Sequence, residues 1–257
     1  MKLEIIDAQA RNVKETGFFC YMSKRKTEGW RRKLLWLKAR FAEGLKIKML
    51  KLPERGFIEY VPGEFAWRAI QAKGYMVIHC LWVVGRSKGK GLASALLEAC
   101  IEDARRAGMK GVAMLVSEGS YMKWKRFLAE HGFETVDTTP PYFELMARKF
   151  GQAPSPSFTK GREKKARTYG KGLVILRSDQ CPYFEDATQA LLATAGRRAS
   201  RARSSSCVLP RRSVTSLPRP TGFIPSSWTD GSSPPITRPG KRCSNTPGGK
   251  ESSPSLH

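Results

Sequence analysis

Apolar and polar positions alternate in two periods through the first 150 residues, and the switches between them mark out a succession of elements. Residues 3–6 read as a short strand. Across 30–42, Leu34, Leu37 and Phe41 stand at i, i+3 and i+7, the stripe of an amphipathic helix. Residues 47–52 alternate as a strand. A second strand over 57–61 is entered by Gly56 and left by Pro62-Gly63. Residues 75–84 form a near-continuous apolar run, as in a central strand covered on both faces. An amphipathic helix over 92–107 stops at Gly108, a residue suited to a helix C-terminus. A buried strand at 112–116, a helix at 121–130 closing near Gly132, and strands at 133–136 and 142–148 complete the pattern. Strands first, then β-α-β-α-β-β, predicts an α/β domain over residues 1–150: a mixed sheet with helices on its faces.

The pattern then changes twice. Residues 151–171 are polar, basic and Pro-containing, which suits a linker. An apolar run at Leu173, Val174, Ile175 and Leu176 reads as a strand, so 172–196 is taken as a separate small βα fragment. From 197 to 257 the chain is rich in Ser, Pro and Arg without any apolar period. Too little surface can be buried there to offset ordering entropy, and a disordered basic tail is expected. The break falls inside a helical pattern, which favours a shifted reading frame over a basic arm for nucleic acid.

Charge enlarges the picture. Lys and Arg number 46 against 22 Asp and Glu, a formal charge of +24. A field of that sign attracts nucleic acid, acidic lipid or a polyanionic cofactor, and charge alone does not choose. The basic residues are scattered rather than gathered on one helix, and nucleic acid is not expected as a partner. Cysteines stand at 20, 80, 100, 181, 207 and 243 with no CxxC or CxxH pair, so no metal site is expected. The N-terminus lacks the apolar core of a signal peptide, and no apolar run approaches the ~20 residues of a membrane span. A cytoplasmic protein with reduced thiols is expected.

One segment carries recognisable chemistry. After Val83-Val84, the loop Gly85-Arg86-Ser87-Lys88-Gly89-Lys90-Gly91 opens a helix at Leu92-Ala93-Ser94. Glycines let backbone approach a ligand, free amides at a helix N-terminus attract anions, and Lys88 and Lys90 add charge. Strand, loop and helix thus make a pyrophosphate cradle. It is not a Walker loop, since no Lys-Ser/Thr follows the second glycine. It is not a dinucleotide fingerprint either, since Ser94 stands where a third glycine belongs.

The loop instead resembles the Arg/Gln-x-x-Gly-x-Gly/Ala signature of the GCN5-related N-acetyltransferase (GNAT) family. Two registers fit, Arg86 to Gly91 or Lys88 to Ala93, and the second places Ser94-Ala95-Leu96-Leu97 at the family's helix start. Gly132-Phe133 looks like the family's helix-to-strand ending. The strings Gly63-Glu64-Phe65-Ala66-Trp67, Ile78-His79-Cys80 and Pro141-Tyr142-Phe143-Glu144-Leu145 resemble a prokaryotic branch carrying a C-terminal YoaP-type domain, which is expected to be truncated here.

The resemblance implies a mostly antiparallel twisted sheet with helices on both faces. It implies transfer of acetyl from acetyl-coenzyme A directly to a primary amine on a small molecule or peptide. The cofactor would be bound by Leu81, Trp82 and Val83 on the strand edge and by Lys88, Gly89, Lys90, Gly91, Ala93 and Ser94 in the loop. His79, four residues before Val83, is the candidate general base, set equally against a satisfied core histidine. Glu59 and Glu64 are rival carboxylates. The family's frequent acid tyrosine falls at Leu128, leaving Tyr121 as the nearby phenol. The alternative class is a non-catalytic binder of coenzyme A or nucleic acid. The acceptor and the oligomeric state are open.

A third reading concerns Cys181. Cys181-Pro182-Tyr183-Phe184 resembles a glutaredoxin-like Cys-Pro-Tyr-Cys start, with Phe184 in place of the resolving cysteine. A helix N-terminus can activate a thiol. The missing partner favours an inert one over redox chemistry.

Overall fold

The structure, a computed structural model, describes residues 3–117, 124–161, 167–169, 174–175 and 177–198, with side chains to residue 195. Seven strands form one sheet in the order β1-β2-β3-β5-β6-β8-β7: β1 (Ile5–Ala8), β2 (Lys46–Leu50), β3 (Gly56–Pro62), β5 (Tyr75–Val83), β6 (Gly111–Ser117), β7 (Glu134–Thr139) and β8 (Phe143–Lys149). Every neighbouring pair is antiparallel except β5 and β6, which a helix joins in a β-α-β crossover. The two-residue strands β4 (Ile70–Gln71) and β9 (Ser157–Phe158) pair with each other. The mixed, mostly antiparallel sheet expected from the sequence is therefore present.

Each face of the sheet carries a helix. Helix α2 (Glu28–Arg40) begins at Thr27, whose hydroxyl accepts from the Trp30 amide (3.4 Å). It follows a four-residue helix, α1 (Val13–Thr16). The buried face of α2 is Gly29, Trp30, Lys33, Trp36 and Leu37, packed on the side of the sheet that presents Phe57, Val61, Tyr75 and Val77. This corrects the stripe read from the sequence: Leu34 and Phe41 are half-buried, and a lysine lies among the aromatics. Lys33 is tolerated there because a carboxylate meets it, as described below.

Helix α3 (Leu92–Arg106) covers the other face with Leu96, Leu97, Cys100, Ile101 and Ala104 against Ile58, Met76, Ile78 and Met114. Each large aliphatic side chain so buried contributes roughly 2 kcal/mol. The short helix α4 (Lys125–Glu130) adds Leu128 to the same cluster. Both α3 and α4 end in a left-handed glycine, Gly108 (φ 64°) and Gly132 (φ 76°). The two amides that close each end are Gly108 to Arg105 with Met109 to Ala104, and Gly132 to Ala129 with Phe133 to Leu128. That bonding leaves few carbonyls orphaned and turns the chain directly into the next strand.

Two expectations about the later chain change. The stretch 151–171 is not a free linker at its start: Phe158 is buried, and the Tyr75 hydroxyl donates to the Pro154 carbonyl (2.9 Å). An apolar residue there has a core to join, which its polar surroundings in sequence conceal. Helix α5 (Tyr183–Arg198) packs against α2 instead of starting a separate unit. A side chain at Gly29 would run into the Pro182 carbonyl. Val174 forms one isolated bridge; Leu173, Leu176, Tyr121 and the tail beyond 198 lie outside the described residues. Among the described residues, no helix is long and apolar enough to cross a membrane.

Candidate functional site

The ladder between β5 and β6 stops early. Tyr75 to Ile78 pair with Gly111 to Met114, yet β5 continues to Val83 and β6 to Ser117 without pairing to each other. Beyond Ile78 and Met114 the strand pairing among the described residues is on the far side of each, β5 with β3 and β6 with β8. The sheet therefore opens into a wedge, and unpaired β-strand edges are strong hydrogen-bonding surfaces.

The wedge leads into the glycine loop. A tight turn at Gly85–Ser87 is anchored by the buried Ser87 hydroxyl, which accepts from the Arg55 amide (2.8 Å). Gly85, Gly89 and Gly91 have φ of 61°, 77° and 72°, and a Cβ at any of them would meet no atom within 4 Å. Left-handed backbone, not crowding, is what calls for glycine here, and the space above the loop is open. Gly91 is the N-cap of α3 and gives it no side-chain cap, so first-turn amides face outward. Lys90 is paired with Glu54 (2.7 Å), and that hydrogen bond lowers the Glu54 carboxyl below its ordinary value. Such a surface pair is weak and exchanges readily for another anion. Ser94, in the first turn, lies 2.9 Å from His131 Nε2.

On the α2 side of β5 lies a buried polar cluster. The β3–β5 register slips by one residue: Glu59 pairs with Cys80, Tyr60 with Ile78, and His79 is the extra, bulged residue. The slip breaks the alternation of side chains along β5. His79, Cys80 and Trp82 all lie on the α2 side, whereas Ile78, Leu81 and Val83 join the α3 core.

His79 Nδ1 is 3.2 Å from Glu59 Oε1, and Nε2 accepts from the Trp67 amide (3.3 Å). Burial pushes the imidazole down to about 4 against the opposing pull of Glu59, so the ring is neutral with its proton on Nδ1. Glu59 also receives Lys33 Nζ (2.5 Å) and Gln180 Nε2 (3.0 Å). Burial would raise this carboxyl, but the Lys33 charge and the bonds from His79 and Lys33 outweigh it and hold it low. Arg68 donates to Gln180 Oε1 (3.0 Å) and to the His79 carbonyl (3.0 Å).

These contacts revise the acid–base candidates. The lone pair that a base requires is already used on His79 by the Trp67 amide. Glu59 is sealed between Lys33, His79 and Gln180. Glu64 accepts from the Gly74 amide (2.8 Å) at the start of β5, whereas the wedge opens beyond Ile78 and the loop lies past the end of the strand. From Gly74 these lie roughly 13 Å and roughly 30 Å along the strand. Tyr121 lies outside the described residues. Lys33, Arg68, Gln180 and His131 take part in these networks and were missed. Lys33 alone left a trace in the sequence, as a charge three residues from Trp30 and from Trp36.

The outer rim of the wedge on this face is aromatic and thiol-bearing. Tyr183, at the start of α5, lies near parallel to Trp82 (centroids 6.5 Å) and edge-on to Tyr21 (4.5 Å), whose hydroxyl bonds Asp186. Phe19 stacks on Phe57 (5.0 Å). Cys20, Cys80 and Cys181 are half-buried, and burial raises all three thiols. The Tyr183 amide only partly offsets this at Cys181, which fits an inert thiol.

A sequence profile of the acetyltransferase (GNAT) family matches residues 23–133. The chain is 38% identical over 182 residues to a Bacillus subtilis (strain 168) protein called uncharacterized N-acetyltransferase YoaP, covering 69% of this chain and 72% of that one. Among solved structures, the yncA acetyltransferase of Salmonella typhimurium with acetyl-CoA aligns at a TM-score of 0.44 and 16% identity, over 60% of this chain and 98% of that one. The PaiA N-acetyltransferase of Thermoplasma acidophilum with coenzyme A aligns at 0.42 and 15% identity, over 58% and 100%.

Proposed function

The chain belongs to the GNAT family of acetyltransferases, and we propose that it moves acetyl from acetyl-coenzyme A to a primary amine in a single direct step at the wedge between β5 and β6. The observation that carries this reading is the early end of the β5–β6 ladder, directly before a glycine loop that opens a helix.

In this reading the loop at Lys88, Gly89, Lys90, Gly91, Ala93 and Ser94 holds the pyrophosphate through outward amides and two lysines. The side of β5 turned away from β3 at Leu81, Trp82 and Val83 bonds the pantetheine arm and polarises the thioester carbonyl. The amine nitrogen attacks that carbon, the C–S bond breaks, and coenzyme A leaves as a thiolate. With an ordinary thiol pKa of about 8.5, the leaving group needs no acid at neutral pH. The ammonium proton goes to water at the mouth of the wedge. His79 and Glu59 act through structure, holding the bulge that sets which way Cys80 and Trp82 face. The Tyr183–Trp82 rim then forms part of the acceptor entrance.

The test is to mix the protein with acetyl-coenzyme A and a panel of small-molecule and peptide amines while following free thiol. Amine-dependent thiol release is the expected result. Binding of coenzyme A with no release by any amine would refute the transferase reading.

A further inference from the structure

Ser94 and His131 form a hydrogen-bonded pair whose polarity, with the imidazole neutral, is set by the Phe127 carbonyl. His131 caps the C-terminal end of α4, where the Gly132 turn holds it in place. Its Nδ1 is 2.8 Å from the Phe127 carbonyl, which can only accept, so the ring proton sits on Nδ1. In the neutral ring Nε2 is then a bare acceptor, to which the Ser94 hydroxyl 2.9 Å away donates. Ser94 thus turns only lone pairs toward the open first turn of α3.

That orientation suits an empty site and not an occupied one. A phosphate oxygen placed over the first turn of α3 is also an acceptor, and two acceptors facing one another repel. The conflict is removed when the hydroxyl rotates its proton to the phosphate. Ser94 Oγ is then left facing His131 Nε2 lone pair to lone pair, unless that nitrogen carries a proton. Nδ1 is pinned by Phe127, so the second proton must come from solvent. Imidazole is the side chain that gains a proton in the neutral range.

We propose that Ser94 and His131 work as a phosphate-responsive relay, in which binding of the coenzyme A pyrophosphate turns the Ser94 hydroxyl outward and brings one proton from solvent onto His131 Nε2. This rests on the loop assignment made above. The balance is one O–H···N bond exchanged for an N–H···O bond from imidazolium to Ser94 and an O–H···O bond from Ser94 to phosphate, with one solvent proton consumed. Other charged groups near His131 are already matched in sign. Glu130 on α4 pairs with Arg126 (2.9 Å). Arg148 on β8 lies beside Gly132 and faces Glu98 of α3 (3.5 Å). An imidazolium at His131 would add a further positive charge behind the phosphate site. His131 is thereby a positioning residue for the cofactor, acting through Ser94.

The experiment is calorimetry of dephospho-coenzyme A binding near pH 7.5 in two buffers of unlike ionisation enthalpy. Dephospho-coenzyme A lacks the 3′-phosphate, whose own titration would otherwise contribute protons. The wild type should take up a substantial fraction of one proton per ligand. Ser94→Ala and His131→Gln should still bind, within about tenfold, with the uptake lost. Glutamine can donate to Ser94 but cannot titrate, so it separates geometry from protonation. A second readout needs no variant: with only three histidines in the chain, the His131 ring resonances are readily followed and should shift to imidazolium values on binding. Absence of proton uptake in the wild type, undiminished uptake in both variants, or unmoved His131 resonances would overturn the relay. Undiminished affinity in a Gly91→Asp variant would instead overturn the loop assignment, and the relay with it.

Discussion

Gln180 donates through Nε2 to the buried carboxylate of Glu59 at 3.0 Å, a contact across 121 residues of chain. Its amide oxygen accepts from Arg68, so one side chain satisfies a buried anion and a buried cation at once. Gln180→Leu would leave both without that partner. Each stranded group costs about 1–3 kcal/mol, so the melting temperature should fall by several degrees. An unchanged melting curve would show that the 178–186 segment merely rests on the domain.

The same cluster sets a pH dependence. His79 titrates at about 4 when folded and near its ordinary value of 6.5 when unfolded. Between these values the unfolded chain binds more protons, so stability must rise with pH across that window and fall as pH drops from about 6.5 toward 4. The shift corresponds to roughly 3 kcal/mol. Glu59, also depressed, adds a further loss below the ordinary carboxylate range. Urea melts from pH 7 to 4 should show the upper decline flattened in a folded His79→Gln variant. A kcat profile at saturating substrate should lack any inflection that disappears in the same variant; such an inflection would restore His79 as the base.

How much of this was legible in sequence depended on whether the cause was local. The α3 helix and both glycine stops were readable, because periodicity and left-handed glycine act within a few residues. The loop was readable for the same reason. Periodicity alone did not place the wedge, since a ladder that ends at Ile78 and Met114 depends on two strands 36 residues apart. His79 stood out in sequence as a candidate base set against a core histidine, whereas its bulge, its Trp67 partner and the sealing of its Glu59 partner by Gln180 arise from tertiary contacts. Lys33 contradicted the apolar stripe, and its explanation, Glu59, lay on another element.

The cofactor loop can be tested by charge alone. Gly91 has φ 72°, a region that Asn and Asp enter at modest cost. Gly91→Asp should weaken coenzyme A binding by at least ~100-fold, because its carboxylate faces the pyrophosphate. Gly91→Asn, with the same shape and no charge, should lose no more than about tenfold. Equal losses in the two would trace the effect to backbone strain and not to an anion site.

Two truncations divide the C-terminal third. Ending the chain after Arg198 should leave the melting temperature and acetyl transfer unchanged, because every contact described above lies before that point. Removal from residue 177 onward should destabilise the domain, since Gln180, Pro182 and Tyr183 contact Glu59, Gly29 and Trp82. The segment beyond Arg198 carries nine Lys or Arg and two acids. Its charge can raise the encounter rate with anionic coenzyme A, and salt screens such steering within a Debye length of about 8 Å at physiological ionic strength. The shorter cut should therefore lower kcat/KM slightly at low salt and leave it unchanged at high salt. A loss of turnover that persists at high salt would mean that residues beyond 198 take part in the site itself. Equal melting temperatures for the two truncations would mean that the segment around Gln180 adds nothing to the fold.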